Sequence, residues 1–273
     1  MRVSILVVIL CFFSTALNAH GLIDDRLHDL LHEIENHPDD HKLYIKRGRI
    51  YLDSEQLILA KESFDQAAKL NSSDYESLYW QGMVLFRQGD LNKSLDKLKI
   101  YLQKVPNSPA GHKAMAEAMT ASGSHSLAAN HYDLAIHNDN NPPPQLFIDR
   151  LQTQLKIILL PKERIEAGIL QGINHHGEIV NFVEAMIDFK IKTHQYEHAI
   201  AWFNKLPEKL RDTPKWINKR ADVEILSGNR QKALNLYQYN LIQIAKLPKI
   251  RRSQLAIKNA EKHAKDRLSP KVP

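Results

Sequence analysis

Histidine is the residue type most open to chemistry in this chain. Fourteen occur among 273 residues, and five fall between positions 20 and 41: His20, His28, His32, His37 and His41. A neutral imidazole nitrogen is the commonest side-chain ligand for divalent transition metals. His28 and His32 stand four apart, which on a helix puts both on one face, with Asp25 and Asp29 beside them. His20 would add a free amine next to its ring if the chain were cut after Ala19. His20, His28 and His32 therefore form a candidate site for a divalent transition metal, and the same pattern also reads as a wet helix face. His175-His176 and His194/His198 read as surface pairs, one near a turn and one on an edge between helices.

Covalent and acid–base chemistry finds no comparable foothold. The sequence has no G-x-S-x-G elbow, glycine-rich phosphate loop, H-E-x-x-H helix or paired-cysteine motif. Its carboxylates fall into no distinctive spacing. The single cysteine, Cys11, lies inside an apolar run, Val3–Phe13, that follows Arg2 and ends in Ser14-Thr15-Ala16-Leu17-Asn18-Ala19. A cation, a short apolar core and a small-residue exit are the pattern of a secretory signal. The expectation is cleavage after Ala19, with Ala16 as the alternative, and a periplasmic or secreted mature chain without thiols. The chain is read as no enzyme and as holding no obligate cofactor.

The net charge of +6 is unevenly placed. Residues 246–273 carry nine Lys/Arg and only Glu261 and Asp266 as acids, so that end is +7 and the body is −1. A basic C-terminal helix reads as a solvated cap or as a contact for an anionic membrane surface or an acidic partner. No aromatics interleave its cations, and nucleic acid is not expected as a partner.

The elements that must position these groups announce themselves as a repeat. Gly48, Tyr51, Ala60, Phe64 and Ala67 return 34 residues later as Gly82, Leu85, Ser94, Leu98 and Tyr101. They return again as Ala116, Met119, Ala128, Tyr132 and Ala135. After Pro142-Pro143-Pro144 a shift of three residues restores the period. The fourth copy then has Thr153, Ile165 and Ile169, the fifth Ile187, Ala199 and Phe203, and the sixth Ala221, Ala233 and Tyr237. Small residues at the Gly48 and Ala60 slots let two helices approach, and the Phe64 slot is large in every copy. Turn signals separate the helices at Gln88-Gly89-Asp90, Ser122-Gly123 and Ser227-Gly228-Asn229, and Pro106 marks a helix end.

On these residues the chain resembles the tetratricopeptide repeat family across 41–247. The resemblance implies an all-α, right-handed α-solenoid of about six helix-turn-helix repeats. Thirteen or fourteen helices are expected, with capping helices at both ends. The expected layout is a signal at 1–19, a capping helix in 20–40 and repeats one to three at 41–141. A Pro-rich insert follows at 142–145, then repeats four to six at 146–247, a basic cap at 248–268 and a disordered tail at 269–273. Leu27, Leu30, Leu31 and Ile34 form the stripe of the first cap, and Ile250, Ile257, Ala260, Ala264 and Leu268 the face of the last.

The resemblance also implies a groove on the first helix of each repeat. Its slots map to Lys42, Ile45, Arg49, Leu52 and Asp53, then Glu76, Tyr79, Met83, Phe86 and Arg87. Ala110, Lys113, Glu117 and Thr120 follow, then Phe147, Arg150, Gln154 and Ile157. Arg49, Tyr79, Met83, Phe86, Arg87, Lys113 and Glu117 are the candidate peptide-binding residues. The carboxylate clamp that some members use for cytosolic chaperone tails is missing, since Ile45, Arg49, Trp80, Ala110 and Ala114 stand at its positions. The function implied is a protein- or peptide-binding scaffold. The second reading is a metal-binding accessory protein using the histidines.

Overall fold

The computed structural model describes residues 26–269. The expected signal, its cleavage point, His20 and the last four residues of the expected tail lie outside them. Every regular element among the described residues is a helix. Helix α1 spans 26–36. There follow α2 (His41–Asp53), α3 (Leu57–Leu70), α4 (Glu76–Arg87), α5 (Leu91–Lys104), α6 (Pro109–Ala121), α7 (His125–Asn138) and α8 (Pro144–Gln154). Next come α9 (Lys162–His176), α10 (Val180–Lys192), α11 (Tyr196–Phe203), α12 (Glu208–Arg211), α13 (Pro214–Leu226), α14 (Arg230–Lys246), α15 (Lys249–Arg252) and α16 (Leu255–Leu268). The total exceeds expectation because Pro207 and Pro248 each start an extra four-residue helix. The chain divides into two compact units at Leu146/Phe147.

In the first unit consecutive helices pack side by side, α2 on α3 through α6 on α7, and α4 also touches α2 and α6. Polar caps start several of them. Asp40 accepts from the Lys42 amide at 2.9 Å and Ser108 from the Gly111 amide at 3.0 Å, each satisfying a donor that the first turn leaves orphaned. The 34-residue pattern is a burial pattern. Phe64, Leu98, Tyr132, Ile169, Phe203 and Tyr237 are all buried, as are Ala60, Ser94, Ala128, Ile165, Ala199 and Ala233. A Cβ on Gly48 would sit 2.5 Å from the Phe64 ring, and one on Gly82 2.8 Å from Leu98. The glycines are therefore what brings the paired helices together.

Between the helices of a repeat, one slot takes positive φ in five copies: Glu55, Gly89, Gly123, His194 and Gly228. Glycine adopts this conformation freely, and Glu55 and His194 adopt it against the steric cost of a Cβ.

Repeat four departs from the expected register. Helix α8 buries Leu146, Phe147, Arg150, Leu151, Thr153 and Gln154. Helix α10 buries the residues 36 later: Phe182, Val183, Met186, Ile187, Phe189 and Lys190. The slot of Gly48 in this copy is therefore Leu151, which packs with Ile165 and Ile169, and Thr153 is a second buried position. The three extra residues do not all enter at the prolines. One precedes α8 and two lie within the repeat. Pro144 opens α8, where a missing amide costs nothing.

In the second unit α10 packs on α9 and α11, α13 on α11 and α14, and α16 on α13 and α14. Ala260 and Ala264 of α16 are buried as expected, whereas Ile250 is exposed on the separate turn α15. Lys190 and Glu224 stand one period apart in α10 and α13, and both are buried. Lys190 Nζ lies 2.6 Å from Glu166 and donates to Gln195 at 2.8 Å. Glu224 meets Lys232 at 2.8 Å and accepts from Asn229 at 3.0 Å. Buried charge persists only when paired in this way.

Candidate functional site

The candidate residues of repeats one to three come from α2, α4 and α6, and their side chains divide into two groups. Met83 packs into two cores, one around Phe64 and one around Leu98, and Phe86 packs into the second. They fix α4 in place while leaving part of their surface open. Arg49, Arg87 and Lys113 are exposed. Arg87 pairs with Glu55 of the preceding repeat, and Lys113 lies 3.4 Å from Glu117 one turn along α6.

Tyr79 sits at the junction. Its ring stands edge-on to Trp80 at 4.8 Å and lies 5.5 Å from Tyr101. Trp80 in turn stacks on Phe64 at 5.8 Å, and the Arg49 guanidinium covers it at 5.1 Å from its centroid. Trp80 Nε1 donates to Glu76 at 2.9 Å. The Tyr79 hydroxyl is pushed up to about 12, chiefly by burial and then by the charge of Glu117, with Arg49 opposing. Helix α4 touches both α2 and α6, and Arg49 of α2 reaches the ring next to Tyr79.

Below this junction a cleft of about 650 Å³ opens, lined by Tyr75, Glu76, Tyr79, Trp80, Tyr101 and Ala110 among others. Tyr75, Trp80 and Tyr101 were not among the candidate residues. Aromatic side chains half in contact with protein and half open are the type enriched at interfaces. Trp80 could have been found two residues before the Gly82 slot, on the side of α4 that must meet the preceding repeat.

Five groove slots are corrected by burial. Ile45 and Leu52 belong to the core around Phe64. Phe147, Arg150 and Gln154 are buried by the shifted register of α8. Arg150 donates to Gln171 at 2.7 Å and to the Gly168 carbonyl at 2.8 Å, which ties α8 to α9.

His28 and His32 do meet, edge to face with ring centroids 5.2 Å apart. Among the described residues no cluster of three or more His, Cys, Asp or Glu groups is arranged to hold a metal ion. The third candidate ligand, His20, is outside them. No helix among the described residues is long and apolar enough to cross a membrane.

The comparisons with known proteins agree with the geometry. The family model described as tetratricopeptide repeat matches residues 45–109. Tetratricopeptide repeat protein 13 of Homo sapiens is 28% identical over 98 residues, 36% of this chain and 11% of its own length. The chain thus spans only about a tenth of that relative. A tetratricopeptide repeat protein from Parabacteroides merdae aligns over 82% of this chain and 98% of its own, with 17% identity and a TM-score of 0.56. The structure of pilF from Pseudomonas aeruginosa aligns over 77% and 94%, with 12% identity and a TM-score of 0.56. A chain of the Cut9–Hcn1 hetero-tetramer of APC/C aligns over 80% and 39%, with 13% identity and a TM-score of 0.53. At these identities the structures speak for the fold alone, an array whose surfaces suit contacts between proteins. Repeat period, helix pairing and matched segment together give this chain a tetratricopeptide-repeat fold, with the family model itself matching residues 45–109.

Proposed function

We propose that the chain is a non-catalytic scaffold of the cell envelope that holds an extended segment of a partner protein against α2, α4 and α6. The observation that carries this reading is the Tyr79–Trp80–Tyr101 cluster with Arg49 laid over it, open to a cleft of about 650 Å³. An aromatic or aliphatic side chain of the partner would enter the cleft, and an acidic neighbour would meet Arg49. Arg87 and Lys113 already have carboxylate partners, so they would set orientation and salt dependence more than affinity. Export rests on Arg2, the Val3–Phe13 run and the small residues up to Ala19.

The test is affinity capture from the native envelope fraction with wild type and with Arg49→Glu plus Arg87→Glu. Loss of the captured partner supports the reading. Retention of the same partner with unchanged salt dependence places binding elsewhere. Amino-terminal sequencing of the protein from its host checks export, with His20 as the expected first residue.

A further inference from the structure

Five of the six repeats join their two helices through three residues, at 54–56, 88–90, 122–124, 193–195 and 227–229. Those turns read Ser-Glu-Gln, Gln-Gly-Asp, Ser-Gly-Ser, Thr-His-Gln and Ser-Gly-Asn. Repeat four uses seven residues, 155–161, and they read Leu-Lys-Ile-Ile-Leu-Leu-Pro. Where every other turn is short and polar, this one is long and apolar.

Its tip is not folded back on the protein. Ile158 is 95% exposed and Leu159 90%. Its feet are fixed: Leu160 packs beside Ile165 and Ile169, the Lys156 amide donates to the Thr153 carbonyl, and the Arg164 amide donates to the Pro161 carbonyl. The exposed apolar pair is thus held out on an anchored loop. Lys156 and Lys162 flank it, both exposed.

The chemistry selects the occupant. Protein hot spots favour Trp, Tyr and Arg seated in pockets, and this loop holds Ile158 and Leu159 out in solvent and has no aromatic residue. Aliphatic tips suit the boundary between lipid headgroups and acyl chains, where flanking lysines keep their ammonium groups among anionic headgroups. We propose that the 155–161 loop is a membrane-docking element. Ile158 and Leu159 enter an anionic bilayer surface, and Lys156 and Lys162 rest on its headgroups. The proposal does not depend on the groove of repeats one to three.

The full chain contains its own N-terminal apolar run, so bulk vesicle binding cannot report on the loop. A polarity-sensitive fluorophore on Leu159→Cys, in a Cys11→Ser background, reads the loop itself. The probe lipid is vesicles of about three parts phosphatidylcholine to one part phosphatidylglycerol, with pure phosphatidylcholine as the contrast. The label should shift to the blue on the anionic vesicles and be quenched by nitroxides on the acyl chains. A label on Ser126→Cys, just inside α7, should stay water-like. Ile158→Ser should raise the lipid concentration needed for half the shift by on the order of ten-fold. The proposal is overturned if the Leu159→Cys label stays water-like on vesicles that carry the protein, or if the protein binds no vesicles. A blue shift that grows with protein concentration in the absence of lipid would overturn it in favour of a second copy as the occupant.

Discussion

The Arg49 guanidinium of repeat one lies 5.1 Å from the centroid of the Trp80 ring of repeat two. A surface cation therefore completes the packing of an aromatic ring that also stacks on the buried Phe64 and meets Tyr79 edge-on. Arg49→Ala should cost about 0.5–1 kcal/mol, the worth of an exposed cation–π contact. Trp80→Ala should cost several-fold more, because it also opens space over Phe64. Urea titrations of both variants check the ratio, and near-equal losses would mean that Trp80 contributes little to the core.

Gly48 sets two opposing effects against each other. Alanine is favoured over glycine inside a helix by roughly 1 kcal/mol. The added Cβ would meet the Phe64 ring at 2.5 Å, and overpacking of a full core costs about 1–3 kcal/mol. The ring is buried and has nowhere to move, so Gly48→Ala should destabilise on balance. Combining it with Phe64→Leu should recover part of the loss in a double-mutant cycle.

The positive-φ turn slot gives a pair of conformational tests. Gly123 has φ 81° with open space where a Cβ would stand, so Gly123→Ala isolates the backbone term and should cost about 1 kcal/mol. His194 holds φ 61° with a side chain. His194→Gly should raise the urea midpoint, with a gain of about 0.5–1 kcal/mol less the lost contact of its ring with the Tyr196 hydroxyl at 2.6 Å.

Acid should weaken repeat three through a histidine pair. His112 Nε2 lies 2.8 Å from the Pro106 carbonyl, so that nitrogen carries the proton. Its Nδ1 then accepts from His131 Nδ1 at 3.0 Å. Burial, and then the charge of His112, lower the His131 pKa below its usual 6.5. The unfolded chain therefore binds more protons than the folded one between the lowered value and about 6.5, and stability falls as pH drops through that window. Above it the contribution is complete. The slope of unfolding free energy against pH should flatten in His131→Gln.

The periodic part of the fold was legible because large and small residues recur at positions that touch. Phe64 and Gly48 sit sixteen apart in one helix pair, and their counterparts Leu98 and Gly82 do the same. Repeat four was misread where Leu151 and not Thr153 fills the slot, since the extra residues split between two places and no periodic signal divides them. The register put Arg49, Tyr79 and Glu117 on first helices and passed over Trp80 and Tyr101. Arg49 covers Trp80, whose ring meets Tyr79 edge-on, and Tyr79 lines the cleft. Trp80 was missed because no other repeat carries an aromatic at its slot, and Tyr101 because its slot, shared with Ala67 and Ala135, reads as core and lies on a second helix. Ile45 and Arg150 look like surface positions by register and are buried, one in the core that holds Phe64 and the other by the shifted register of α8.

The buried charges one period apart in α10 and α13 bear on how an array of similar parts keeps its order. Repeats that resemble one another could in principle dock in the wrong succession during folding, since each offers its neighbour a similar apolar face. Lys190 of repeat five seats its ammonium against Glu166 of repeat four. A chain that skipped repeat five and laid repeat six there would bring Glu224 into that place, carboxylate against carboxylate in a half-buried site. The inverted charge thus tells repeat five from repeat six, and Glu166 of repeat four suits only the former.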